Sequence, residues 1–493
     1  MNSLGDPIMI SRRLLFGVVL IVLSACLVLL SGPAQAAASI EKIAPRVLAE
    51  TTGDGTTEAL VVLAEQADLT PASALQSKLE KGRFVVNALR AVAERTQAPI
   101  LTFLEQRGVR YQSFYIVNMI KVRGNRGLMQ ELAARSDVAH VDANPQVRSS
   151  LPVLTGAGSK YDAPPTVEWN IKQVHAPEVW ALGFRGQGRV VAGADTGVQW
   201  DHPALKLHYR GWKGGKVNHK YNWHDAVDHT KVPFDPFGHG TFTVSEMVGD
   251  DGQGNQIGVA PKAKWIACRN MDASGTGSPA RYTECFEFLI APYPIGGNPR
   301  QGKSALAPDS INNSWECPAS EGCSVETLRK VVNAVRAAGI FPAMAAENSG
   351  PSCSTVNNPP AIYGSAVSVG ATDSSNNIAD FSSRGPVTVD GSNRPKPNLS
   401  APGVNVRGAV PTNQYASGWS GTSMAAPHLA GGVALLWQAK PALIGNITKT
   451  ESTFTHTSLP LRSTQNCGGS GQKIPNNIFG WGLLDLLKAV KAP

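Results

Sequence analysis

The chain has no block of lysine and arginine; a formal net charge of +8 is spread along 493 residues. Nucleic-acid binding asks for a concentrated basic patch, so the charge is read as a solubility feature and no nucleic-acid partner is expected. Charged residues are a moderate 17% of the sequence, which argues against a disordered chain. The seven cysteines never form CxxC or a Cys/His cluster at ligand spacing, so zinc has no signature. The acidic stretch Asp250-Asp251-Gly252-Gln253-Gly254-Asn255 lacks the twelve-residue EF-hand pattern. It reads as an ordinary turn, with a structural calcium ion of unassigned ligands as the alternative. His219, His224 and His229 fall in a polar segment and read as exposed. No metal or organic cofactor is required by any of these patterns.

At the front, Arg12-Arg13 precede an apolar run from Leu14 to Leu30, and Ala34-Gln35-Ala36 follows as an A-x-A cleavage signal. Residues 1–36 are therefore expected to be a signal peptide and the protein to be secreted. The run is long enough to span a bilayer, so an uncleaved anchor is the alternative. Leu23-Ser24-Ala25-Cys26 resembles a lipoprotein box, but apolar residues continue past Cys26, which favours cleavage after Ala36. With the signal removed, no membrane contact is expected, and no pattern points to a partner subunit, so a monomer is expected.

Residues 57–148 form a separate small unit. Ala59 to Ala64 reads as a strand and Leu75 to Gln106 as a helix, with Leu75, Leu79, Val86, Leu89 and Val92 near helical spacing. Strand patterns at Val109–Phe114 and Ile116–Val122, a helix over Leu128–Arg135 and a strand over Val138–Asp142 complete a β-α-β-β-α-β order, that of a ferredoxin-like domain. A Ser, Gly and Pro-rich stretch, 149–165, reads as a linker. The remaining residues, 166–493, are ample for one large core.

Within that larger part three segments carry chemistry. Val190 to Ala194 is a short apolar run ending on Asp195-Thr196-Gly197, the pattern of a buried parallel strand with a carboxylate at its C-terminal tip. Gly238-His239-Gly240-Thr241 opens a helix expected to reach Val248. Gly421-Thr422-Ser423-Met424-Ala425-Ala426-Pro427 precedes the apolar helix Leu429–Trp437, with Pro427 expected in a first helical turn. A serine is a poor nucleophile until a base takes its proton. His239 has the right intrinsic pKa to do so, and Asp195 would orient the ring. The chain order Asp, His, Ser is neither that of α/β-hydrolases nor that of chymotrypsin-type proteases, and Ser423 lacks the G-x-S-x-G elbow of esterases and lipases.

These segments resemble the subtilisin-like serine proteases, and most closely the bacillopeptidase F-like branch. Asn312-Asn313-Ser314-Trp315, Asn348-Ser349-Gly350, Asp380-Phe381-Ser382-Ser383-Arg384-Gly385-Pro386 and the closing Gly480-Trp481-Gly482 join the three above, so the likeness spans roughly 165–490. It implies an α/β fold with a doubly wound, mostly parallel sheet. It also implies a secreted endopeptidase that cuts polypeptides through an acyl-enzyme on Ser423. Asn348 matches the family's oxyanion asparagine, following the apolar run Ile340–Ala346. Ser314-Trp315-Glu316 matches one substrate-binding edge and Gly275-Thr276-Gly277 the other, which together bind an extended peptide by strand addition. The 57–148 unit resembles the family's propeptide, which assists folding and then plugs the active site as an intramolecular inhibitor. Autocleavage is then expected in 149–165, with Arg148 and Lys160 as candidate cleavage residues.

The departures from the family pattern are informative. Glu316 stands where a glycine usually follows Ser-Trp, and Glu347 where a glycine usually precedes the asparagine. Both line the pocket for the residue before the scissile bond, where carboxylates either narrow it or attract Lys and Arg; in the alternative reading both turn outward to water. Phe242 replaces a frequent second histidine beside His239. A binding homologue with impaired catalysis is the competing reading these changes raise. Six cysteines remain after signal removal, an even number that suggests disulfides in an exported chain. Cys317 with Cys323 and Cys268 with Cys285 are the preferred pairs, leaving Cys353 with Cys467 by elimination.

Overall fold

The computed structural model describes Met1 and residues 40–149 and 167–493. The expected signal segment beyond Met1 and the linker beyond Ser149 lie outside these residues. Among the described residues no helix is long and apolar enough to cross a membrane.

Helix α1 (Pro45–Glu50), which the sequence did not signal, stands ahead of the small unit. Then follow β1 (Thr57–Leu63), α2 (Lys78–Gln106), β2 (Tyr111–Phe114), β3 (Met119–Gly124), α3 (Arg126–Ala133) and β4 (Val138–Ala143). The four strands form one antiparallel sheet in the order β2-β3-β1-β4, the expected ferredoxin-like arrangement. Helix α2 starts at Lys78 and not at Leu75, because Ser77 and Glu80 form a reciprocal capping box there. Leu79 consequently faces outward, 41% exposed. Strand β3 starts later than expected because the turn ahead of it spends its N–H groups elsewhere, as described below.

Alternation along β1 shows why this unit does not stand apart. Ala59, Val61 and Leu63 pack beneath α2 and α3 with Ile100, Leu104 and Leu132. Leu60 and Val62 point the opposite way and join Met119 in a second core. That core is built with Phe286 and Phe288 of α4 (Pro279–Ile290) and Val331 of α5 (Arg329–Ala337). A strand with period-two side chains and both faces apolar must be covered twice. Here the second cover is the larger domain.

That domain is built on seven parallel strands, numbered here after β5 (Val147–Arg148): β6 (Val190–Asp195), β7 (Trp223–Asp225), β8 (Lys264–Arg269), β9 (Ser310–Asn313), β10 (Phe341–Ala345), β11 (Val367–Thr372) and β12 (Leu399–Pro402). Their order is β12-β11-β10-β9-β6-β8-β7, with every neighbouring pair parallel. Alternate residues again separate the layers. Val191, Trp265 and Ala343 face α6 (His239–Val248) and α7 (Thr422–Ala439), whereas Ala192, Ile266 and Met344 face α4 and α5. The sheet is doubly wound, and β6 lies where the chain switches direction, so its C-terminal tip opens into a crevice.

Glu246 in α6 is fully buried, and neither carboxyl oxygen has a hydrogen-bond partner among the described residues. Burial holds its pKa well above the ordinary carboxyl range. A carboxyl with a raised folded-state pKa imposes its cost as pH climbs away from the unfolded value near 4.3. Glu246→Met, measured by urea unfolding in a Ser423→Ala background that prevents autolysis, should therefore gain about 1–3 kcal/mol at pH 8 and much less near pH 4.5. A loss of stability at pH 8 would show that the carboxyl has a partner.

Candidate active site

The motif glycines are there because the backbone passes close to itself. A side chain on Gly197 (φ +122°) would strike the Phe234 carbonyl, and one on Gly240 the carbonyl of Gly197. This crowding brings the tip of β6 against the first turn of α6. Asp235, which the sequence reading overlooked, clamps the two together. Its carboxylate accepts from Thr196 Oγ1 at 2.9 Å, Gly238 N at 2.8 Å, and Thr241 N and Oγ1 at 2.8 and 2.7 Å. Its only sequence signal was its place three residues ahead of Gly238 at a helix start.

Across this junction Asp195 Oδ1 meets His239 Nδ1 at 2.7 Å, with both side chains buried. Thr196 N donates to the same oxygen at 2.7 Å, fixing the carboxylate. His239 Nε2 is buried and has no hydrogen-bond partner among the described residues. Ser423 is the second residue of α7, after Gly421 at the cap position. Its Oγ makes a long 3.4 Å hydrogen bond to the Ser314 carbonyl. Pro427 lies inside the helix, not in its first turn, because α7 already begins at Thr422. Pro427 has no N–H for the Ser423 carbonyl four residues earlier; the Ser314 hydroxyl donates to that carbonyl instead, at 3.1 Å. Asn348, just past β10, accepts from Thr422 N at 2.9 Å and Thr422 Oγ1 at 3.0 Å. With Oδ1 so engaged, its Nδ2 is the end left to donate beside Ser423.

The tail of the small unit runs into this site. Strand β5 pairs antiparallel with Thr276–Gly277, Arg148 opposite Thr276 and Val147 opposite Gly277, and Ser149 N donates to the Gly275 carbonyl at 3.2 Å. Gly275 and Gly277 thus pair with an extended segment of the same chain. Ser149 lines one pocket together with Glu316, Glu347, Asn348 and Ser423. Trp315 is buried as an anchor: its indole N–H donates to the Ala194 carbonyl at 2.9 Å and its ring stacks on Tyr282.

Glu347 does not turn outward; it is 4% exposed, at φ +74°. Its Oε1 accepts the backbone N–H of Asn357 and Asn358 at 3.0 and 2.9 Å, and Asn358 Nδ2 bridges Glu347 Oε2 and Glu316 Oε2, each at 2.9 Å. Burial first, and then the Glu316 charge, push the Glu347 carboxyl well above its ordinary pKa. Phe242 is buried and stacks on Trp419, which also approaches the His239 ring.

One expectation outside the site needs revision. His224 and His219 are half-buried, and only His229 is exposed. His224 Nε2 lies 2.7 Å from Glu284 and its ring stacks on Phe288, contacts from α4 that no local pattern announces. In the acidic turn, Asp251 spends its oxygens on Gln253 N, Asn255 N, Asn255 Nδ2 and Tyr415. No group of three or more His, Cys, Asp or Glu able to hold a metal ion is found among the described residues. The three disulfides are Cys268–Cys285, Cys317–Cys323 and Cys353–Cys467.

Comparison with known proteins gives the same picture. The Subtilase family model (Peptidase_S8) matches residues 186–482. Bacillopeptidase F of Bacillus subtilis (strain 168) is 39% identical over 439 residues, 85% of this chain but 29% of that protein, so the chain spans less than a third of this relative. Subtilisin Savinase of Lederbergia lenta is 31% identical over 306 residues, 62% of this chain and 96% of that protein. Subtilisin E of Bacillus subtilis (strain 168) is 26% identical over 378 residues, covering 76% and 85% of the two chains. The chain belongs to the subtilase family of serine endopeptidases, with its resemblance to the bacillopeptidase F-like branch.

Proposed function

We propose that the protein is a secreted serine endopeptidase, made as a precursor that processes itself. The observation that carries this reading is the 2.7 Å contact between Asp195 and His239, which leaves a buried, unpartnered Nε2 as the base. Rotation of the Ser423 hydroxyl from the Ser314 carbonyl to that nitrogen starts the reaction. Oγ attacks the scissile carbonyl as His239 takes its proton, and the oxyanion receives hydrogen bonds from Asn348 Nδ2 and the Ser423 N–H at the positive end of α7. Return of the proton to the leaving amine frees one product. Water, deprotonated by His239, then releases the acyl group. No organic cofactor enters any step.

The processing scheme is signal removal after Ala36, inhibition by the 57–148 unit, and cleavage at the start of 149–165. The tail's register favours a cut after Ser149 or Ser150 over Arg148 or Lys160, since Ser149 already shares a pocket with Ser423 and docking of the small unit would hold that bond at the site whatever side chain precedes it. Expression of the precursor beside Ser423→Ala tests both parts. The wild type should yield a mature chain beginning at Ser150 or Leu151, and the variant should stay full length. Identical processing of the two would contradict catalysis by Ser423, and a mature chain starting at Tyr161 would contradict the register argument.

The pocket chemistry supports a preference for Lys or Arg before the scissile bond. Burial and the Glu316 charge favour the neutral form of Glu347, whose Oε2 accepts from Asn358, and the half-buried Glu316 brings a second carboxyl to the same pocket. Library profiling at pH 8 should rank Lys and Arg above Leu and Phe, and Glu316→Gly should shift that ratio about tenfold or more toward the apolar residues. A wild type that prefers Leu or Phe would contradict this.

A further inference from the structure

An extended strand bonded on one side by Val147 and Ser149 directs the N–H of the residue between them to the opposite side. That residue is Arg148, and its backbone N–H donates to Glu321 Oε2 at 2.8 Å. Glu321 ends a short 3-10 turn, Ala319–Glu321, inside the loop closed by Cys317–Cys323. The loop is internally braced: Glu321 N and Cys323 N both donate to the Pro318 carbonyl, and Cys317 N to that of Pro359. This carboxylate therefore meets the strand on the side away from Gly275–Gly277.

We infer that Glu321 is a substrate-binding residue, whose carboxylate accepts a backbone N–H of any extended peptide in the groove. The inference rests on the peptidase reading above and adds to it a side-chain acceptor on the side of the groove away from Gly275–Gly277. A charge-assisted bond from a rigid loop is stronger than a neutral one, and it reads the backbone without selecting a side chain. It would exclude proline and N-alkylated residues at that one position. Arg46 of α1 also donates to the Glu321 carbonyl, so the alternative is that Glu321 serves only to dock the small unit.

The test uses mature enzyme and a peptide with the sequence of residues 143–155, either unmodified or N-methylated at Arg148 or at Ser149. Methylation at Arg148 should lower kcat/KM about tenfold for the wild type and less than about threefold for Glu321→Ala. Methylation at Ser149 should cost both enzymes equally, because that N–H faces Gly275. With the unmodified peptide, Glu321→Ala should raise KM about tenfold with kcat nearly unchanged, and Glu321→Gln, which keeps an acceptor, should fall between. Equal cost of Arg148 methylation in wild type and Glu321→Ala would overturn the inference while leaving catalysis intact. Failure of the wild type to cut the unmodified peptide at all would overturn the peptidase reading and this inference with it.

Discussion

His239→Ala is expected to lower kcat about a million-fold with little change in KM, the size of loss that removal of the same base causes in subtilisin. The reason is geometric. His239 is the base held by Asp195, and its Nε2 has no hydrogen-bond partner among the described residues to compete for it. Asp195→Asn should cost about 10⁴-fold, because a neutral amide at 2.7 Å from Nδ1 no longer selects the tautomer with Nε2 unprotonated. Asn348→Leu should cost about 10²–10³-fold, again a magnitude known from subtilisin, by removing one oxyanion donor. Steady-state kinetics on variants matured in trans measures all three. A His239→Ala loss below about a hundredfold would mean that another group activates Ser423.

The second large effect concerns release of the small unit. Glu287 in α4 is buried beneath that unit, and its Oε2 accepts the N–H of Tyr115 at 2.6 Å and of Ile116 at 3.0 Å. Burial raises its pKa to about 8, with the Glu284 charge adding to the rise and the two backbone donors and Arg90 opposing it. Release takes away the cover of the small unit and lets the carboxyl fall back toward the ordinary carboxyl range. Binding therefore takes up a proton: affinity is highest below the free value and declines as pH rises toward 8. By linkage the inhibition constant should weaken as pH rises toward about 8, by at most about tenfold per pH unit, and level off above it. Glu287→Gln keeps an acceptor for both N–H groups but cannot ionise, so its inhibition profile should be flat there and tighter than wild type at pH 8. A wild-type profile that tightens with rising pH would show that another pair, such as Lys78–Asp309, governs release.

The contrast between what was legible in the sequence and what was not follows the range of the interactions. Asp195, His239 and Ser423 could be read because each sits in a short fixed run of residues: Gly197 and Gly240 admit no side chain, and the order of the three segments separates fold families. The β-α-β-β-α-β order was readable for the same reason, each element carrying its own period. Glu287 and Glu321 were not singled out, since each acts on backbone groups supplied by a distant part of the chain, and Asp235 was missed because its link to Thr196 is 39 residues away. Strand β3 begins late because Tyr115 and Ile116 bond to Glu287, 172 and 171 residues away. Glu347 could be assigned to the pocket but not oriented, because its inward turn depends on Asn357 and Asn358. Pro427 was misplaced within its helix because the compensating donor, Ser314, is more than a hundred residues distant.

The convergence of Asp195, His239 and Ser423 on one reaction is tested most directly by covalent trapping. Mature enzyme treated with a peptidyl phosphonate and mapped by mass spectrometry should carry a single adduct on Ser423, and the same treatment of His239→Ala should leave Ser423 unmodified. An adduct on a different residue, or equal labelling of Ser423 in both proteins, would contradict the account.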